Sequence, residues 1–163
     1  MRFFILGFTL TLVSSIAFAY PTVGDSIELT GAMTAIDFDG SMPMSLSFRL
    51  AEFDPSTKYF RRIASLIVGE GSHVEDEWIA KKEFMTNEKV AELLANCVPY
   101  GGRSEALVTS AGTFETCVFT KQDSDGIINT TWYGDVPFGM IKLRQKYPTY
   151  TVDLEVSEFR HGQ

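Results

Sequence analysis

Histidine and cysteine are scarce in this chain, two of each among 163 residues, and that scarcity removes most side-chain chemistry at the outset. A nucleophilic cysteine needs a base beside it, and neither His73 nor His161 stands in a protease-like context. Two cysteines and two isolated histidines are also far from zinc-ligand spacing. The Gly-x-Ser-x-Gly elbow, the phosphate loop and the His-Glu-x-x-His pair are all missing. The expectation is a protein that is not an enzyme and takes no cofactor and no metal.

Positive charge is also thin. There are 14 Lys and Arg against 21 Asp and Glu, and Arg61-Arg62 and Lys81-Lys82 are the only basic pairs. Nucleic acid and anionic membrane surfaces are therefore disfavoured as partners. Internal repeats, low-complexity stretches and linkers are absent as well.

One apolar run stands out, from Phe3 to Val13, preceded by Arg2 and followed by Ala17-Phe-Ala19. A single positive charge, a short apolar core and a small-x-small end are the parts of a secretory signal peptide. The run is too short for a membrane span. No cysteine follows it to carry a lipid. Residues 1–19 are thus expected to be a cleaved leader, and residues 20–163 a single β-rich domain in the periplasm or the medium, with no transmembrane segment. Removing 19 of 163 residues leaves 144, and losing Arg2 leaves 13 basic residues against 21 acidic, a net charge of −8.

In an exported chain, two cysteines are most simply one disulfide. A Cys97–Cys117 bond would close a loop of about twenty residues, which the chain-entropy argument values at about 3 kcal/mol.

Between glycines and prolines the runs are short and alternate. Met44 to Leu50 places Met44, Leu46, Phe48 and Leu50 on one face, with Ser45, Ser47 and Arg49 on the other; this is a half-buried antiparallel strand. Ser26–Thr30, continuing weakly toward Phe38, reads the same way. So do Lys58–Val68, Glu105–Thr109, Thr113–Thr120, Ile127–Tyr133, Val136–Leu143 and Thr149–Phe159. His73 to Phe84 fits either period, and strand is preferred because its neighbours offer a partner. Ser110-Ala-Gly112 is a tight hairpin signal. Thr86 to Asn96 differs: strong helix formers follow a capping Thr or Asn, with Val90, Leu93 and Leu94 on one face. The expected fold is mainly β (α+β), a curved antiparallel sheet or half-open barrel of eight or nine strands with one helix over residues 87–96.

Three motifs read as ordinary structure. Asp37-Phe-Asp-Gly40 and Asp123-Ser-Asp-Gly126 begin like calcium loops but lack the closing Glu, so both are turns. Asn129-Thr-Thr131 is read as strand. Glu75-Asp-Glu77 is read as a solvated edge rather than an acid–base pair.

Aromatic residues, by contrast, are plentiful: 13 Phe, 6 Tyr and 2 Trp, with 6 Met. A curved sheet with a helix across it could enclose an apolar cavity for an acyl chain. Candidate liners are Phe48, Leu50, Phe60, Leu66, Trp78, Leu93, Leu94, Trp132 and Phe138. Ala111-Gly-Thr-Phe-Glu-Thr-Cys117 followed by Trp132-Tyr-Gly-Asp-Val-Pro-Phe-Gly-Met-Ile-Lys142 resembles the paired motif of a group of uncharacterised exported bacterial β-proteins. These are similar in architecture to the periplasmic lipoprotein carriers, whose half-open barrel holds lipid chains. The resemblance implies non-catalytic binding of an apolar or lipidic ligand. The alternative is an interaction module, such as an inhibitor of an envelope hydrolase, that meets its partner through its acidic surface and the loop from Val98 to Arg103.

Overall fold

The computed structural model describes residues 20–36 and 40–163. The expected leader, and the tip of the Asp37-Phe-Asp-Gly40 turn, lie outside the described residues.

Four strands run out in a meander: β1 (Ser26–Ala35), β2 (Ser41–Asp54), β3 (Tyr59–Val68) and β4 (Gly71–Ala80). A 3-10 turn (Lys81–Glu83) and the helix α1 (Asn87–Ala95) then carry the chain to the far edge. Five strands meander back: β5 (Arg103–Thr109), β6 (Gly112–Gln122), β7 (Ile128–Tyr133), β8 (Met140–Lys146) and β9 (Tyr150–Arg160). The order across the sheet is β4-β3-β2-β1-β9-β8-β7-β6-β5, and every neighbouring pair is antiparallel. The edges β4 and β5 do not pair, so the sheet is open. The mainly β expectation with one helix and a disulfide matches this architecture.

The β1–β9 pair is the seam between the two meanders, and its register explains why it holds. Leu29 stands between Leu46 and Val156, Ile27 between Phe48 and Phe159, and Met33 between Met42 and Val152. Leu29 and Val156 are wholly buried, as are Val136 and Ile141 in the same cluster. The other face of β8 and β9 is a charge ladder in which Lys142 pairs with Glu155 and Arg144 with Asp153.

The ambiguous stretch resolves as strand. β4 pairs with β3 from Val68↔Gly71 to Tyr59↔Ala80, so its partner rather than its own periodicity decides the outcome. The helix begins at its expected cap, where the Thr86 side chain accepts from the Lys89 amide. The turn after β2 is held by Asp54, whose carboxylate accepts from the Ser56 amide and hydroxyl and from the Thr57 hydroxyl. Those hydrogen bonds hold its carboxyl down at about 2.

One strand start needs correction. Val136 to Gly139 is a turn, and β8 begins only at Met140. Gly134 donates to the Gly139 carbonyl, and Gly139 to that of Val136. Pro137 has no N–H to give a ladder, and Phe138 and Gly139 both adopt positive φ, 66° and 74°, which strand pairing does not allow.

Candidate functional site

The site grows from a change of register in β2. Phe48 and Leu50 share a face by simple alternation, and Phe53 would fall on the opposite one. A bulge between Leu50 and Glu52 shifts the pairing, so that Leu50 faces Arg62 and Phe53 faces Phe60. The extra residue puts Phe53 back on the face of Phe48 and Leu50. Across the next pair, Ile79 stands opposite Phe60 and Glu77 opposite Arg62.

Aromatic rings then run in contact through this corner. Phe53 and Phe60 lie 4.5 Å apart, Phe60 and Phe84 5.7 Å, Phe84 and Phe138 6.1 Å, and Phe138 and Phe48 5.6 Å, between ring centroids. Beside them is an open cleft of about 320 Å³. Its walls are Phe48, Arg62 and Ile79 from β2 to β4, Glu83, Phe84 and Met85 from the crossing segment, and Tyr133, Phe138 and Met140 from β7, its turn and β8. In a flat sheet β4 and β7 would be six strand spacings apart, about 29 Å. Their side chains line one cleft, so the sheet is strongly curled.

Arg62 is the one cation in the lining. Its Nη2 pairs with Glu77 across β3 and β4, and its guanidinium lies 5.3 Å from the centre of the Phe48 ring. Its Nε is buried and has no hydrogen-bond acceptor among the described residues.

The helix does not roof the cleft, as the sequence led one to expect. That wall is the segment before it, which α1 holds in place: the Lys89 ammonium donates to the carbonyls of Lys82 and Phe84, 2.9 Å each. Val90, the buried face of α1, comes against Gly139 instead. Behind the aromatic corner, Tyr20 is buried, its amide donating to Asn87 Oδ1 at 2.7 Å and its hydroxyl to Asp135 at 3.1 Å. Burial first, and Asp135 second, push its phenol well above the usual range.

Of the sequence candidates, Phe48 and Phe138 line the cleft, and Leu50 and Phe60 form the buried cluster behind it with Phe84. Leu66 shares the face of Arg62 but pairs with Leu46 and His73, farther along β3 and outside the lining. Trp78 points to the other face of β4 and is 48% exposed. Leu93 and Leu94 are half-buried on α1, away from the cleft. Trp132 is buried elsewhere: its indole donates to Glu105 at 2.5 Å, beneath Lys142 and Arg144. The sequence reading missed Arg62, Ile79, Phe84, Met85, Tyr133 and Met140. For Arg62 the available signal was alternation on β3, which puts it on the face of Phe60; Phe84 and Met85 carry no periodic signal, because they lie between strand and helix.

Two acids of the run on β4 are spent on cross-strand pairs, and Glu75 lies 3.4 Å from His73 Nε2 on the same strand. Asp76 binds Arg61 and Glu77 binds Arg62, and the hydrogen bond from Arg61 holds the Asp76 carboxyl below the usual range. Asp123 accepts from the Asp125 and Ile127 amides within its own turn. Among the described residues no three His, Cys, Asp or Glu side chains gather as metal ligands, and no helix is long and apolar enough to cross a membrane. A larger cleft of about 580 Å³ lies among Met33, Met42 and Tyr150. Its lining also includes Ala35, Gly40, Ser41 and Thr149. Comparisons with protein-family models, curated proteins and solved structures found no match to this chain.

Proposed function

We propose that the chain is an exported, non-catalytic binding protein that takes an apolar or lipidic ligand into the cleft bounded by Phe48, Phe84 and Phe138. The observation that supports this reading best is the open space itself: rings in mutual contact wall a cleft of about 320 Å³, within the range of small-molecule sites. The Cys97–Cys117 disulfide supports export, because such bonds persist in oxidising compartments. With the leader-like residues 1–19, it favours the periplasm or the medium. An open, curled sheet around a lipid chain is also what the resemblance to exported β-proteins and lipoprotein carriers implies.

Magnitudes limit how such a ligand binds. Each buried methylene contributes about 0.8 kcal/mol, so eight give about 6 kcal/mol, while association itself costs about 4 kcal/mol or more. A tail alone is held weakly, and a contact to the head group decides whether binding is useful.

Methionine methyl NMR tests the reading, because Met85 and Met140 line the cleft while Met33 and Met42 border the other one. Titration with fatty acids, lysophospholipids and diacyl phospholipids is expected to move the Met85 and Met140 signals saturably. No movement of either across the panel contradicts the proposal. Val98 and Tyr100, 68% and 53% exposed beside the disulfide, support a second reading, capture of a basic envelope hydrolase by this loop and the acidic surface. Methyl signals that no amphiphile moves would favour it.

A further inference from the structure

The outer edge of β4 stands apart from the cleft and has a use of its own. Nothing pairs with that edge among the described residues, and residues 71–78 are exposed without a break. Exposed edges are commonly blunted by proline, lysine or a bulge. β4 contains neither proline nor lysine, and its register with β3 is unbroken. Its acids are answered within the chain, Asp76 by Arg61, Glu77 by Arg62 and Glu75 by His73, so the edge is not a bare row of negative charge.

The backbone groups that are free to pair follow from one bond. The Lys81 amide donates to the Lys58 carbonyl, and hydrogen-bonded pairs alternate along an antiparallel ladder. Counted back along the register, Ile79, Glu77, Glu75, His73 and Gly71 spend their amides and carbonyls on β3. Those of Ser72, Val74, Asp76 and Trp78 point away from the sheet. We propose that a second copy of this chain pairs here, β4 against β4, about a two-fold axis at Val74.

Charge selects both the occupant and the register. An axis at Val74 sets Val74 against Val74, Ser72 against Asp76, and His73 against Glu75, so no acid directly faces an acid. An axis at Glu75, Asp76 or Glu77 sets a carboxylate against its own copy, and one at His73 sets Glu70 against Asp76; like charges directly opposite are destabilising. An axis at Trp78 leaves only residues 76–80 to pair. Val74 and Ile67, 60% and 45% exposed, share the face turned away from the cleft, and pairing at Val74 joins these apolar strips of the two copies. The other free edge, β5, has seven residues, and a β4–β5 contact would be head-to-tail rather than closed.

A contact between two strands belongs to the small, weak class of interfaces, so sedimentation equilibrium of the whole protein into the high micromolar range is the test. The mass is expected to rise toward twice that of the monomer and no further. Val74→Pro removes the donor at the axis from an edge position where proline is tolerated. It should keep the melting temperature and weaken association at least about tenfold. If it does not fold, Val74→Lys, which sets two ammonium groups face to face, makes the same test. His73→Glu should weaken the dimer by facing Glu75 with a second carboxylate, and adding Glu75→His to that variant should restore it. Val108→Pro, on the β5 edge, should change nothing. A monomer at every concentration, a dimer indifferent to Val74→Pro and Val74→Lys, or growth beyond a dimer overturns the proposal. Failure of the His73/Glu75 exchange to restore association overturns the register.

Discussion

Replacing Gly31 with alanine is expected to cost about 3 kcal/mol or more, lowering the melting temperature by about 10 °C for a domain of this size. Gly31 lies on β1 between Met44 of β2 and Leu154 of β9. A Cβ at this position would sit 1.9 Å from the Asp153 carbonyl oxygen and 2.9 Å from its carbon, with the Leu154 Cα at 3.1 Å. Every one of these atoms is backbone, so no rotamer change relieves the clash and β9 must move away from β1. Among the described residues that pair is the only strand pairing that joins the outgoing and returning meanders, so the displacement weakens the core on both sides. A glycine inside a strand often marks such a close backbone approach. Thermal unfolding followed by circular dichroism checks the prediction, and a loss under about 1 kcal/mol would show that the seam tolerates the shift.

The second large effect is loss of the disulfide. Cys97 and Cys117 are both buried, their Cα atoms are 5.5 Å apart, and their sequence separation is 20 residues. Closing a loop of this length contributes about 3 kcal/mol through the unfolded chain. The bond is also packed over: a side chain at Gly102 would meet the two sulfurs at 2.6 and 2.8 Å. It therefore fixes the end of the crossing segment to β6. The Cys97→Ala/Cys117→Ala protein is expected to unfold in urea with about 3 kcal/mol less stability than the parent. Because α1 anchors the cleft wall through Lys89, loosening the far end of that segment should also weaken ligand binding. An unchanged urea midpoint would contradict this view of the disulfide.

The strands were legible wherever burial on one face imposed alternation. Met44 to Leu50 lies within β2, and Ser110-Ala-Gly112 is the bend from Thr109 to Gly112 that the hairpin signal indicates. The helix was legible because Thr86 caps it and Pro99 with Gly101 and Gly102 follow its end. Val136 to Leu143 was overextended, since apolar residues in a turn that must bury look like a strand in sequence; Val136 and Pro137 are fully buried without any ladder. The cleft was half legible. Phe48 and Phe138 were found through aromatic content, whereas Phe84 and Met85 reach the site through the path of the crossing segment, which is not a periodic feature. Arg62 lies on the same alternating face of β3 as Phe60, opposite Leu50, and its charge kept it out of an apolar reading. The two tryptophans misled, because indole size suggests a cavity wall while Trp132 serves the charge ladder and Trp78 lies on the outer face of an edge strand.

The cleft bounded by Phe48, Phe84 and Phe138 is proposed to hold an apolar or lipidic ligand. Native mass spectrometry checks this on protein purified without detergent from an oxidising compartment and then incubated with the amphiphile panel. A discrete added mass with one-to-one stoichiometry that leaves on denaturation and extracts as a lipid is the expected result. A protein of unliganded mass both as purified and after incubation would contradict it.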